Sequence, residues 1–183
     1  MIDFQPLGED DLPLLHGWLQ REHVARWWGE TPEMQKVRDH YLPMIRGEEQ
    51  TDGYLIRLHG RPIGFIQTYR IADWQDTWPE VDEPGAAGMD LLIGEPDLIG
   101  HGLGPCVIRT FVETIVFAPP DVRVCWADPD ARNQRSVRAF EKAGFRAIRD
   151  VWAEDAQTTE RLVRLGRDEL QPSDSAGPRG SSS

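Results

Sequence analysis

Residues 98–117 read LIGHGLGPCVIRTFVETIVF, and no other stretch constrains the fold as tightly. Gly100, Gly102 and Gly104 stand at alternate positions. Behind them Leu103, Val107, Ile108, Phe111, Val112, Ile115 and Val116 recur at helical spacing. GMDLLIG, just upstream at residues 88–94, has the apolar run of a buried strand. Strand, glycine turn and amphipathic helix in that order predict a helix N-terminus facing the end of a sheet. Its unpaired N–H groups and macrodipole suit an anion such as a pyrophosphate. A dinucleotide fingerprint does not fit, because the spacing is GxGxG in mid-chain, and the Gly-Lys-Ser/Thr of a P-loop is missing. The loop alone leaves two readings open, an ordinary tight turn or a phosphate cradle.

The rest of the chain supplies a mixed sheet. IDFQPLG (2–8) reads as a short strand, and EDDLPLLHGWLQREH (9–23) as an acidic-started helix with Leu12, Leu15, Trp18 and Leu19 on one face. Thr31 as N-cap and Pro32 at the first helical position predict a second helix through residue 45. GYLIRLHGRPIGFIQTYRI (53–71) predicts a hairpin about the HGRP turn. The polar, aromatic segment DWQDTWPEVDEPGAAG (73–88) is a loop long enough to suspect of function. DVRVCWAD (121–128), FRAIRDVWA (145–153) and TTERLVRLG (158–166) read as strands, with an Asn-led helix at 133–144 closed by glycine. The expectation is one α/β domain over residues 1–170 and a disordered Ser/Gly/Pro tail at 171–183.

With 31 acidic against 20 basic side chains the net charge is −11, which repels nucleic acid and anionic membranes and favours a cationic ligand. No apolar run reaches membrane-spanning length, and the opening residues lack a basic segment, so a cytoplasmic protein is expected. Cys106 and Cys125 read as small core residues in a reducing compartment. The five histidines are scattered and no CxxC or HExxH spacing occurs, so no metal site is expected.

ADPDARNQRSVRAFEKAGF (127–145), following the strand that ends in WAD, breaks the tie over the glycine loop. Together the two motifs resemble the GNAT superfamily of N-acetyltransferases. There, a loop of the form Arg/Gln-x-x-Gly-x-Gly/Ala binds the acetyl-CoA pyrophosphate, and an Asn-led helix flanks the pantetheine arm. Ile99 stands where Arg or Gln is usual. The likeness extends through ARWWGE, YLPMI, GRPIGFIQTYR, GMDLLIG and GHGLG to the aminoglycoside 6'-N-acetyltransferases, up to about residue 165. Siderophore-biosynthesis acyltransferases and protein N-acetyltransferases share several of these pieces.

The resemblance implies a single domain whose mixed central sheet, flanked by helices, splays at the acetyl-CoA site. It also implies acetyl-CoA as co-substrate, no metal, a monomer or homodimer, and transfer of acetyl to the 6'-amine of a cationic aminoglycoside. The implied cofactor-binding residues are Leu92, Ile93, Gly100, His101, Gly102, Leu103, Gly104 and Asn133, with His101 contributing backbone only. Asp90 and Asp128, at the ends of the two splayed strands, would face the amine and accept its proton. Trp27 or Trp28 (not both), Tyr41, Tyr69 and Trp74 would line the acceptor side, where aromatic faces suit sugar rings and ammonium groups. Glu30, Asp73, Asp76, Glu80, Asp82 and Glu83 would add a negative rim. Phe140 departs from the pattern: a tyrosine there is the proposed acid for the leaving thiolate in related enzymes. The competing expectations are a transferase for another metabolite amine, siderophore precursor or protein N-terminus, and a non-catalytic ligand-binding module.

Overall fold

The computed structural model describes residues 1–29, 32–74, 76, 78, 80–154 and 156–170. The chain runs β1 (Ile2–Pro6), α1 (Leu12–Leu19), α2 (Glu22–Trp28), α3 (Met34–Ile45), β2 (Thr51–Leu58), β3 (Arg61–Arg70), β4 (Ala86–Ile93), α4 (Leu103–Phe111), β5 (Val124–Ala127), α5 (Gln134–Lys142), β6 (Arg146–Ala153) and β7 (Thr158–Gly166). The seven strands form one sheet in the order β1-β2-β3-β4-β5-β7-β6. Every neighbouring pair is antiparallel except β4 and β5. The β2–β3 hairpin turns through His59 and Gly60, both at positive φ, the geometry that matches the twist of a two-residue hairpin.

The alternation of side chains along the strands sorts the core into two faces. Ile56, Ile66, Met89, Cys125 and Val163 point to one side, where Val107, Ile108, Phe111 and Phe140 of α4 and α5 cover them. Leu55, Phe65 and Leu92 point to the other side, under Leu12, Leu15, Trp18, Val24, Val37 and Tyr41 of the N-terminal helices. Farther along that face the cover is the loop rather than helix: Trp78 and Val81 pack on Ala86, Val124, Trp126 and Leu162. Asp90 lies on this face between Leu92 and Ala86, at the boundary between helical and loop cover.

Two helix boundaries differ from the sequence expectation. The expected helix at 9–23 breaks at Arg21, whose backbone is extended, and a separate α2 follows, closed by Gly29 in the left-handed region. The break has a tertiary cause, because the Arg21 guanidinium reaches over to the Gly94 carbonyl (2.7 Å) and the Glu95 carboxylate (3.2 Å). The next helix starts at Met34 with Glu33 extended at its N-cap, so Pro32 stands outside it. Thr31, Glu30 and the 171–183 tail lie outside the described residues.

Candidate functional site

β4 and β5 pair over three residues only, Ala86 with Val124, Ala87 with Cys125 and Gly88 with Trp126. β5 then ends at Ala127, and Pro129, lacking an N–H, cannot extend the ladder. β4 continues alone to Ile93, so the strands part and a cleft of about 770 Å³ opens beside them. Its wall takes residues 91–93 from β4, Gly100, Gly102, Leu103 and Gly104 from the glycine loop, and Asn133, Ser136 and Ala139 from the α5 side.

The loop is built as a cradle. Gly100 and Gly102 have φ of +85° and +76°, a conformation that side chains bearing a Cβ rarely adopt. A Cβ at either would meet nothing within 4 Å, so their free side is the cleft. Gly104 has a different reason: its Cβ would lie 3.3 Å from Ala139 Cβ, so glycine there lets α4 and α5 approach closely. The first N–H groups of α4 have no partner within the helix and suit an anion.

The charge of the wall was not anticipated from the sequence. Arg26, Arg132, Arg135, Arg138 and Lys142 line the cleft, with no carboxylate lining it among the described residues, in a chain whose net charge is −11. Arg132 is held by Asp130, whose carboxyl it pulls down to about 2. No ion pair engages Arg135, Arg138 or Lys142 among the described residues. The signal was present in RNQRSVRAFEK: Arg135, Arg138 and Lys142 recur at helical spacing opposite the buried Val137 and Phe140, with Arg132 just ahead of the Asn133 cap. Asn133 caps α5, its side chain accepting the Ser136 N–H at 3.2 Å. The His101 side chain is exposed and absent from the cleft wall, and the role expected for this residue is its backbone's alone.

Across the gap the polar groups are acidic. Asp90 accepts the Gln67 Nε2 amide at 2.8 Å and a hydrogen bond from Tyr69. Burial nevertheless pushes its pKa above the ordinary aspartate value, the direction a base working near neutrality requires. Asp128 and Asp90 both act electrostatically on the Tyr69 phenol, which they and its burial raise well above its usual value. Asp90, inside β4, and Asp128, just past the end of β5, thus both act on one tyrosine.

The aromatic residues divide. Trp27 and Trp28 both reach the cleft wall, although the sequence favoured only one. Trp28 also meets Phe65 edge-on, and Arg26 lies over the Trp27 ring. Trp74 is exposed and stands edge-on to Tyr69 at 6.2 Å. Tyr41 does not join them, being buried on Phe65 beneath the N-terminal helices, where α3 needs an apolar face.

Of the expected negative rim, Glu83 is committed to Arg164 and the Trp126 indole, and Glu80 to Arg149. Asp73, Asp76 and Asp82 are exposed. Glu30 lies outside the described residues. Cys125 is buried as expected, whereas Cys106 is exposed, because it falls on the outer side of α4. Phe140 is buried against Phe145 and is not on the cleft wall.

A sheet splayed after three parallel pairs, with a glycine cradle on one side of the gap and a half-buried carboxylate on the other, defines a class. Residues 8–152 match the acetyltransferase (GNAT) domain, and the chain belongs to that family. Among curated relatives, aminoglycoside N(6')-acetyltransferase type 1 of Klebsiella pneumoniae is 37% identical over 79% of this chain and 73% of its own length. Lysine N-acyltransferase MbtK of Mycobacterium tuberculosis is 27% identical over 75% of this chain and 65% of its own. The crystal structure of aminoglycoside acetyltransferase AAC(6')-Ib in complex with coenzyme A and kanamycin superposes with a TM-score of 0.85 at 32% identity, covering 93% of this chain and 97% of that one.

Proposed function

We propose that this chain transfers acetyl from acetyl-CoA to the 6'-amino group of an aminoglycoside, and so confers resistance to that antibiotic on a cell that makes it in the cytoplasm. One observation carries the reading: a cationic cleft and an acidic, aromatic surface meet where β4 and β5 separate. The phosphates of acetyl-CoA suit the cleft, with Arg135, Arg138 and Lys142 supplying charge and Gly100 and Gly102 supplying close backbone. A polycationic amine suits Asp90, Asp128 and the aromatic faces of Tyr69 and Trp74.

In the proposed step, Asp90, directly or through water, takes the proton of the acceptor ammonium. The amine nitrogen then forms a bond to the thioester carbonyl carbon as the C–S bond breaks, and the second proton that it must lose passes to water. The sulfur leaves with the electron pair and takes its proton from water, since Phe140 has none to give. A thiol of ordinary pKa about 8.5 is a tolerable leaving group near neutrality, so the missing acid does not forbid turnover.

The test is release of CoA thiol against a panel holding kanamycin, tobramycin, free lysine and N-terminal peptides. Turnover with the aminoglycosides is expected. Turnover with lysine alone would replace this reading with one nearer the lysine acyltransferase relative. Tight binding of aminoglycoside and acetyl-CoA with no turnover would leave a binding module.

A further inference from the structure

Trp78 lies in the middle of the loop that covers half of one sheet face, yet it is 3% exposed and no sequence argument singled it out. Its indole Nε1 lies 3.1 Å from the Tyr69 hydroxyl oxygen. An indole N–H can only donate, so the tyrosine oxygen is the acceptor in that contact. Tyr69 has one proton, which is therefore available to the carboxylates near it, and of Asp90 and Asp128 it is Asp90 that accepts a hydrogen bond from the phenol.

Two features make the arrangement specific. Gln67 and Tyr69 are two residues apart on β3 and share a face; Gln67 stands opposite Asp90 in register and Tyr69 opposite Gly88. A Cβ at Gly88 would lie 2.4 Å from the Tyr69 ring, so the ring lies over bare backbone to reach its place. Gln67 donates its amide to Asp90, while its carbonyl Oε1 is buried with no hydrogen-bond partner among the described residues. The side chain is thus oriented toward the carboxylate at the expense of its own acceptor.

We propose that Trp78 and Tyr69 form a positioning pair for Asp90: the indole fixes the phenol, and the phenol proton is thereby held on the carboxylate. The proposal rests on Asp90 being the base of the acetyl transfer proposed above. The groups facing Asp90 are Gln67 and Tyr69 from β3, with Asp128 beyond and Trp78 behind Tyr69; Cys125 of β5 lies on the opposite face of the sheet and interacts with Asp90 only electrostatically. The Cys125 thiol, raised far above its usual value by burial and by Asp90, stays neutral, and so does the Tyr69 phenol. The two donors to Asp90, the Gln67 amide and the Tyr69 phenol, are therefore both neutral across the working range, and each favours the ionised carboxylate.

The variants Trp78→Phe and Tyr69→Phe remove one hydrogen bond each while keeping a ring. The measurement is a carbon-detected NMR titration of the Asp90 carboxyl, assigned by comparison with Asp90→Asn, beside the pH profile of kcat/KM for kanamycin. The Asp90 midpoint is expected to rise in Trp78→Phe and to rise further, by about one pH unit, in Tyr69→Phe, the size of effect when a charged group loses a donor. The acid limb of kcat/KM should move up with it, with KM for acetyl-CoA unchanged. A midpoint unmoved in Tyr69→Phe overturns the proposal, even if melting temperature falls, because a merely structural role lowers stability without touching that titration. Should Trp78→Phe fail to fold, Tyr69→Phe decides alone. If the midpoints shift as expected but no amine is acetylated by the wild type, the proposed activity falls and the positioning pair stands.

Discussion

The two sides of the gap between β4 and β5 are built from opposite chemistry and by opposite means. On the cleft side, Arg135, Arg138 and Lys142 project from one helix, partly into solvent, and the glycine loop offers backbone rather than side chains. On the far side, Asp90 is half-buried and held through specific hydrogen bonds from Gln67 and Tyr69. The first arrangement attracts an anion over a distance set by the Debye length and tolerates adjustment. The second depends on contacts that shift by tenths of an ångström.

The largest effect expected from breaking this contrast is at Asp90. Asp90→Asn should lower kcat/KM for the aminoglycoside by about 10²-fold or more, the scale of a lost general base, while acetyl-CoA still raises the melting temperature. The same variant should be more stable than the wild type at neutral pH. Because the folded pKa is raised, the folded state holds its proton to higher pH than the unfolded chain. Stability from this site is therefore fullest below the ordinary aspartate pKa and falls as pH rises through the folded value. Melting curves of both forms from pH 4 to 8 should accordingly diverge with rising pH, in favour of the variant.

Next in size is the cationic wall. Reversing two charges, Arg135→Glu with Arg138→Glu, should weaken acetyl-CoA binding by about tenfold, and more at low salt, with the acceptor's affinity little changed. Isothermal titration at two ionic strengths separates this from a loss of fold. Equal weakening of both ligands would remove the division of labour between the two sides.

Gly102→Val tests backbone rather than charge. A β-branched residue at φ +76° costs about 1–2 kcal/mol in conformation alone, and its side chain enters the cleft. A lower melting temperature is expected together with a diminished rise on adding acetyl-CoA. A full acetyl-CoA response would mean that the cradle is only a turn.

The smallest change is expected at Phe140→Tyr. The ring is buried edge-on to Phe145, 5.1 Å between centroids, away from the cleft wall, so a new hydroxyl there meets core before substrate. Turnover from pH 6 to 9 should stay well short of the roughly 10²-fold gain a positioned acid can give. A gain of that size would show that the ring reaches the leaving sulfur after all.

Local chemistry was legible where a residue's own covalent structure limits its options. The glycine loop at 100–104, the HGRP hairpin and the Asn133 start of α5 follow from backbone sterics and local turn chemistry, which any short window of sequence contains. The order of elements and the resemblance to the acetyltransferase family came from the same windows read in series. Other features depended on which strand neighbours which. Tyr41 carries the same aromatic ring as Tyr69, but α3 turns it into the core, whereas β3 turns Tyr69 toward Asp90. Arg21 ends α1 because Gly94 and Glu95, more than 70 residues onward, lie within reach of its guanidinium. Trp78 meets Tyr69 only because the loop folds back over the sheet, and Tyr69 reaches Asp90 only because residue 88, on the neighbouring strand, has no side chain. Propensity and periodicity act over a few residues, so the sequence by itself determined the turns, the caps and the amphipathic faces. The partners of Asp90 lie across β3 and the loop, and only tertiary pairing, which fixes distances between residues remote in the chain, could select them.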